Sequence, residues 1–187
     1  NNPQNTFLNT ADWARNIGSS TTEDYDGANS KWGYTFGAGA GANRWASITT
    51  IASISDLSFE FKVISNSADP QFVMRFRFND ESGYTVDFNM GGANTPITLN
   101  RRDNVSATQL DIDSTKTLNV DTYYTFKITM IGDAIKVYFD GNLLLEATDS
   151  TYTEGNLGFF NYNADSGNNI YFDFLEIKVP FNYKDFS

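Results

Sequence analysis

YYTFKITMIGDAIKVYFDGNLLLEATDSTYTEGNLGFFNYNADSGNNIYFDFLEIKV, from Tyr123 to Val179, is the stretch that decides the fold. It reads as four successive strands in which apolar and polar residues alternate, joined by turns of Gly, Asp and Asn, which tolerate positive φ. The order is a strand, the turn Gly132-Asp133, a strand ending at Asp140-Gly141-Asn142, a strand led by Gly155, and a closing strand through Phe172-Asp173. Such a series predicts an all-β, antiparallel sandwich.

The same period of two runs upstream. Leu57, Phe59, Phe61 and Val63 alternate with Ser58, Glu60 and Lys62, which predicts a half-buried strand. Phe72, Met74, Phe76 and Phe78 alternate with Val73, Arg75, Arg77 and Asn79. After the turn Asp80-Glu81-Ser82-Gly83, Tyr84, Val86, Phe88 and Met90 alternate with Thr85, Asp87 and Asn89, so these two runs predict a hairpin. Ile97, Leu99 and Arg101 continue one further strand, followed by a polar connection through Asp111 and Asp113 toward Leu118. The first 45 residues or so, rich in Asn, Thr, Ser, Gly and Ala with single aromatics, predict short strands and long loops, with Gly37–Asn43 a tight or flexible connection.

Composition bounds the chemistry. The 187 residues suit one large sandwich over 1–187, which would bury about 70% of the unfolded surface. Cysteine is absent, which removes disulfides and thiolate metal sites; histidine is absent too, which removes Ser-His-Asp and Cys-His catalysis. What remains is carboxylate, Tyr, Lys or Arg chemistry. The formal charge of −10 argues against sequence-independent nucleic-acid binding and against an anionic bilayer, and no apolar run reaches the length of a membrane helix.

The strand order, the hairpin Tyr138-Phe139-Asp140-Gly141 and the closing Phe172-Asp173 resemble the concanavalin-like (laminin-G-like) jelly roll, most clearly over Leu57–Val179. Its nearest flavour is that of carbohydrate-binding modules appended to secreted bacterial polysaccharide-degrading enzymes, fructan-binding ones included. The resemblance implies a polysaccharide or oligosaccharide ligand, a place in a larger multi-domain enzyme, an extracellular or cell-surface location, and binding without bond cleavage.

The outward face of the predicted hairpin sets Arg75 and Arg77 beside Asp87 and Asn89. Sugar hydroxyls need such planar, bidentate groups, and a pyranose face needs an aromatic ring. An antiparallel sheet also keeps one face wet, so the same pairs fit a merely solvated surface. Trp13, Trp32, Tyr34 and Trp45 offer an aromatic platform, although burial is the commoner fate of any single indole. Trp32 enters the candidate binding set with Tyr25 and Tyr162, which sit in polar contexts suited to a loop-built rim. The segment Asp24-Tyr25-Asp26-Gly27-Ala28-Asn29 has the closely spaced oxygens and the glycine of a calcium loop without the full EF-hand pattern; Asp24, Asp26 and Asp173 are the candidate ligands of a structural calcium.

Two other functions fit the sequence. A glycosidase needs only two carboxylates, about 5–5.5 Å apart for retention or about 6.5–9.5 Å for inversion, and Glu60, Asp87 and Glu176 are available. The catalytic jelly rolls that cleave β-glucans carry Glu-x-Asp-x-Glu or Glu-x-Asp-x-x-Glu on one strand, and this chain has neither. Arg75-x-Arg77 is similar to the arginine-rich strand of alginate lyases, whose Gln-x-His element a chain without histidine lacks. The other is a laminin-G-like adhesion domain that binds protein through a calcium-centred rim.

Overall fold

A computed structural model describes residues 13–16, 21–26, 31–36, 44–48, 55–65, 71–79, 81–89, 96–162 and 168–178, with side chains over 55–63, 72–79, 81–88 and 96–159. These residues form β1 (Trp13–Asn16), β2 (Thr21–Asp26), β3 (Lys31–Phe36), β4 (Arg44–Ile48), β5 (Leu57–Ser65), β6 (Gln71–Asn79) and β7 (Ser82–Asn89). They continue as β8 (Ile97–Asp103), β9 (Ser106–Asp113), β10 (Tyr124–Ile131), β11 (Ala134–Phe139), β12 (Asn142–Thr148), β13 (Asn156–Tyr162) and β14 (Asn168–Lys178). The first sheet runs β1-β4-β13-β6-β7-β8-β9 and the second β12-β11-β10-β5-β14-β3-β2. The chain is the expected antiparallel sandwich.

Alternation explains the layers. Leu57, Phe59, Phe61 and Val63 of β5 face Phe72, Met74, Phe76, Tyr84, Val86 and Phe88 of the β6–β7 hairpin in one core. Phe61 packs edge-on to Phe72 and Phe88, with centroids at 6.1 and 6.3 Å, and stacks on Phe126 at 5.6 Å. One phenylalanine thus bridges the sheets. Each such ring contributes about 1.5–3 kcal/mol by burial.

Two elements depart from the sequence reading. The polar run toward Leu118 contains the strand β9, whose residues are all exposed or half-exposed because it closes the first sheet at an edge, with Leu110 packing against the core. The quoted stretch holds five strands, the additional one being β12. There the register slips between Val137 and Tyr138, so Leu143, Leu144 and Leu145 fall across an irregularity that hides the period of two.

The connection from β12 to β13 is clasped to the first sheet by a polar cluster. Tyr84 Oη donates to Asp149 Oδ1 at 2.7 Å, Arg101 Nη1 to Asp149 Oδ2 at 2.9 Å, and Tyr152 Oη to Asp103 Oδ1 at 2.7 Å. Burial pushes the Asp149 carboxyl up, but hydrogen bonds from Thr151, Tyr84 and Arg101 outweigh it and hold the group at about 2. Burial likewise raises the Tyr84 hydroxyl to about 12. A depressed folded-state carboxyl stabilises at pH values above its unfolded value of about 3.9, and that stability is lost as pH falls toward 2. Asp149→Asn is therefore expected to lower the urea midpoint at neutral pH and to flatten its fall between pH 4 and pH 2. An acid limb as steep as the parent's would show that Asp149 does not carry it.

Candidate functional site

The outer face of the first sheet holds a polar patch centred on β6, β7 and β8. In register, Arg75 of β6 lies opposite Thr85 of β7, and Thr85 opposite Asn100 of β8; the next row aligns Val73, Asp87 and Thr98. A solvated face would leave these side chains open. Arg75 is 8% exposed, Asn100 7% and Thr85 fully buried. Burying polar groups in this way is costly unless each is engaged; among the described residues Asn100 is engaged, while Thr85 Oγ1 is not.

Its centre is Asp87. Asn100 Nδ2 donates to Asp87 Oδ2 at 3.2 Å and to Thr98 Oγ1 at 3.1 Å, and Arg102 Nη2 lies 3.5 Å from the same carboxylate oxygen. The Arg75 guanidinium stacks over the Phe78 ring with Cζ 4.3 Å from its centroid. Burial pushes the Asp87 carboxyl up, with Thr85, Arg102 and Arg75 pulling it back. The Thr85 hydroxyl lies near enough to exert that pull, yet neither Thr85 Oγ1 nor Asp87 Oδ1 closes a well-formed hydrogen bond among the described residues. The patch is open at Asp87 and Arg102, whose side chains are 30% and 20% exposed.

The sequence candidates divide. Arg75 and Asp87 come together as expected. Asn89 and Tyr162 both lie opposite Gln71, from β7 and β13, which puts them in the row beyond Asp87 on the same sheet; their side chains lie outside the described ones. Tyr162 ends a strand and is not on a loop.

Arg77 does not share the face of Arg75. The β6–β7 register shifts between Phe76 and Asn79, and Arg77 takes φ +46°, so Arg77 and Phe78 form a bulge that reverses the alternation. The guanidinium is 2% exposed. Its Nε donates to Ser55 O at 2.6 Å, Nη1 to Tyr152 O at 3.1 Å, and Nη2 to Asp56 Oδ1 at 3.3 Å.

Tyr25, Trp32, Asp24, Asp26 and Asp173 belong to the opposite layer. Tyr25 and Trp32 face each other in register across β2 and β3, and Trp32 aligns with Phe172 of β14. Asp24 and Asp26 sit within strand β2, so the segment read as a calcium loop is strand up to Asp26, its pairing with β3 running to Asp26 and Lys31. Asp173 falls at the irregularity of β14 between Phe172 and Phe174. Among the described residues no three acidic, His or Cys side chains converge as a metal cage would require. Trp13 and Trp45 are in β1 and β4, and Gly37–Asn43 lies outside the described residues.

Sequence reasoning missed Asn100 and Arg102. The signal was present: Thr98, Asn100 and Arg102 alternate with Ile97, Leu99 and Arg101, which puts the first three on the outer face.

No protein-family model matches the sequence, and no curated protein sequence matches it either. Solved structures do. The chain is similar to the carbohydrate-binding module CBM66 from Bacillus subtilis, with a TM-score of 0.70, 18% identity, and 89% of this chain and 95% of that one covered. It is similar to the exoplasmic/lumenal domain of VIP36 in its Ca2+/Man3GlcNAc-bound form, with a TM-score of 0.67, 10% identity, and 93% and 86% covered. A native glycosidic hydrolase matches with a TM-score of 0.60, 10% identity and 92% of each chain covered. At these identities the likeness is one of fold, the jelly roll.

Proposed function

We propose that the chain is a non-catalytic carbohydrate-binding module that holds an associated secreted enzyme on its polysaccharide outside the cell. The observation that carries the reading is Asp87 on the outer face of the first sheet, between Arg75 and Arg102 and held by Asn100. Such a set offers fixed donors and an acceptor on a rigid element, which is what hydroxyl recognition needs. The fold shared with CBM66 and a glycan-bound lumenal domain supports it. Asn89 and Tyr162 extend the site along the sheet. Tyr25 and Trp32 are proposed as a second contact on the opposite layer. Arg77 leaves the ligand set because its three donor groups are engaged inside.

A glycosidase is the weaker reading. Its ground is Glu60 and Glu176, cross-strand neighbours in the second sheet; Asp87 is in the first sheet and does not join them, and neither strand carries the Glu-x-Asp-x-Glu or Glu-x-Asp-x-x-Glu string. Calcium belongs to the proposal at Asp24, Asp26 and Asp173, hard donors on the β14-β3-β2 side of the second sheet.

A panel of soluble and insoluble polysaccharides, run with calcium and with chelator and assayed for released reducing ends, tests this. Retention on one glycan class without product is expected, and Arg75→Ala should weaken it by roughly tenfold to a hundredfold per folded molecule, as loss of a charged hydrogen bond of about 1.5–3 kcal/mol implies. Product release would make the chain an enzyme, and retention on nothing would favour a protein partner. A melting temperature indifferent to both chelator and calcium would remove the metal.

A further inference from the structure

We infer that the open edge of the patch, at Asp87 and Arg102, recognises a hydroxyl of a neutral sugar and discriminates against the corresponding uronic acid. The inference rests on the carbohydrate-binding reading above. Its ground is the mismatch of roles across a gap. Asp87 Oδ2 is an acceptor and Arg102 Nη2 a donor, and the 3.5 Å between them is looser than the roughly 2.7–2.9 Å of a well-made charge-assisted bond. A hydroxyl fits both partners, because it donates to the carboxylate while accepting from the guanidinium. A carboxylate has no proton to offer and satisfies only Arg102.

The surroundings sharpen the difference. Asn100 is buried and holds Asp87 Oδ2 through its amide, while Thr98 takes the same amide group, so the carboxylate cannot easily turn away from an incoming anion. Asp87 is partly desolvated and its side chain is 30% exposed, so a second negative charge beside Oδ2 is partly screened and the repulsion is offset in part by Arg75 and Arg102. Like charges brought together in such a place weaken binding by about tenfold or more.

The test uses linkage-matched pairs of β-linked polymers that differ at C6: mannan and polymannuronate, cellulose-type glucan and its polyglucuronate. A fructan serves as a further neutral probe. Affinity electrophoresis of the full chain should show the neutral member of at least one pair retained about tenfold more strongly than its acidic partner. Asp87→Asn replaces the acceptor with a side chain that also donates, so it should weaken neutral retention and narrow or reverse the ratio. Arg102→Gln serves if the first variant fails to fold, and should widen the ratio by removing the guanidinium at the open edge that pairs with a carboxylate. Equal or stronger retention of the acidic polymer by the parent chain would overturn the inference and leave glycan binding standing. A ratio untouched by either variant would also overturn it, by moving the site elsewhere. Retention of no polymer would bring down the carbohydrate reading itself and the inference with it.

Discussion

Arg77→Ala is expected to lower unfolding stability by about 3–5 kcal/mol, the cost of removing one partner from a buried charged network. The side chain is 2% exposed and ties together three segments: Ser55 and Asp56 before β5, the bulge in β6, and Tyr152 in the β12–β13 connection. Its loss strands two carbonyl oxygens, each costing about 1–3 kcal/mol when left without a donor. The ion pair itself adds less, because Asp56 is 30% exposed and also accepts from Gly132 N at 2.9 Å. Arg77→Lys should recover only part of the loss, since an ammonium cannot reproduce the guanidinium fork. Urea unfolding measures both. Glycan binding per folded molecule should stay near the parent value, which separates Arg77 from Arg75. A variant that loses binding while keeping its stability within about 1 kcal/mol would return Arg77 to the ligand set.

That contrast marks how far the sequence could be read. Strict alternation over Leu57–Val63 and Phe72–Phe88 reports burial on one side, so the sandwich, its main hairpin and most of its aromatic core were legible. Alternation also brought Arg75 and Asp87 to one face correctly. It failed at Arg77 because a bulge inserts one residue into one strand, and nothing in Arg-Phe-Arg-Phe distinguishes a regular pleat from a broken one. The glycine that accommodates the bulge, Gly83, reads as an ordinary turn residue. Gly155 is some seventy residues away. The edge strand β9 was hidden for a different reason: it is half solvated, and its composition converges on that of a loop, whereas β12 was hidden by the slip across Leu143–Leu145. Asn100 and Arg102 were legible in pattern, but nothing in the sequence said which outward-facing polar residues would be buried.

Gly155→Ala should be the most damaging of the small substitutions. A Cβ built on Gly155 would lie 2.4 Å from the Arg77 carbonyl carbon and 2.6 Å from the Phe78 nitrogen. Both are backbone atoms of the bulge, which cannot yield as a side-chain tip could. From the other flank, a Cβ on Gly83 would meet Arg77 O at 2.5 Å, so two strands close on the bulge with only hydrogen atoms to spare. Gly155 also takes φ +158°, where an L side chain is strained. Overpacking and strain together predict a loss of about 3 kcal/mol or more. Gly132→Ala is the control: its φ of +60° carries a backbone penalty of about 1–2 kcal/mol, but its Cβ would meet nothing within 4 Å. Equal losses in the two variants would mean that backbone conformation alone matters and that the bulge is not gripped. If Gly155→Ala costs clearly more and also weakens glycan binding, the reason is local: Arg75 stacks on Phe78, the second residue of the bulge, so a displaced bulge moves the arginine. The same irregularity that turns Arg77 inward then positions Arg75 on the face where Asp87 waits.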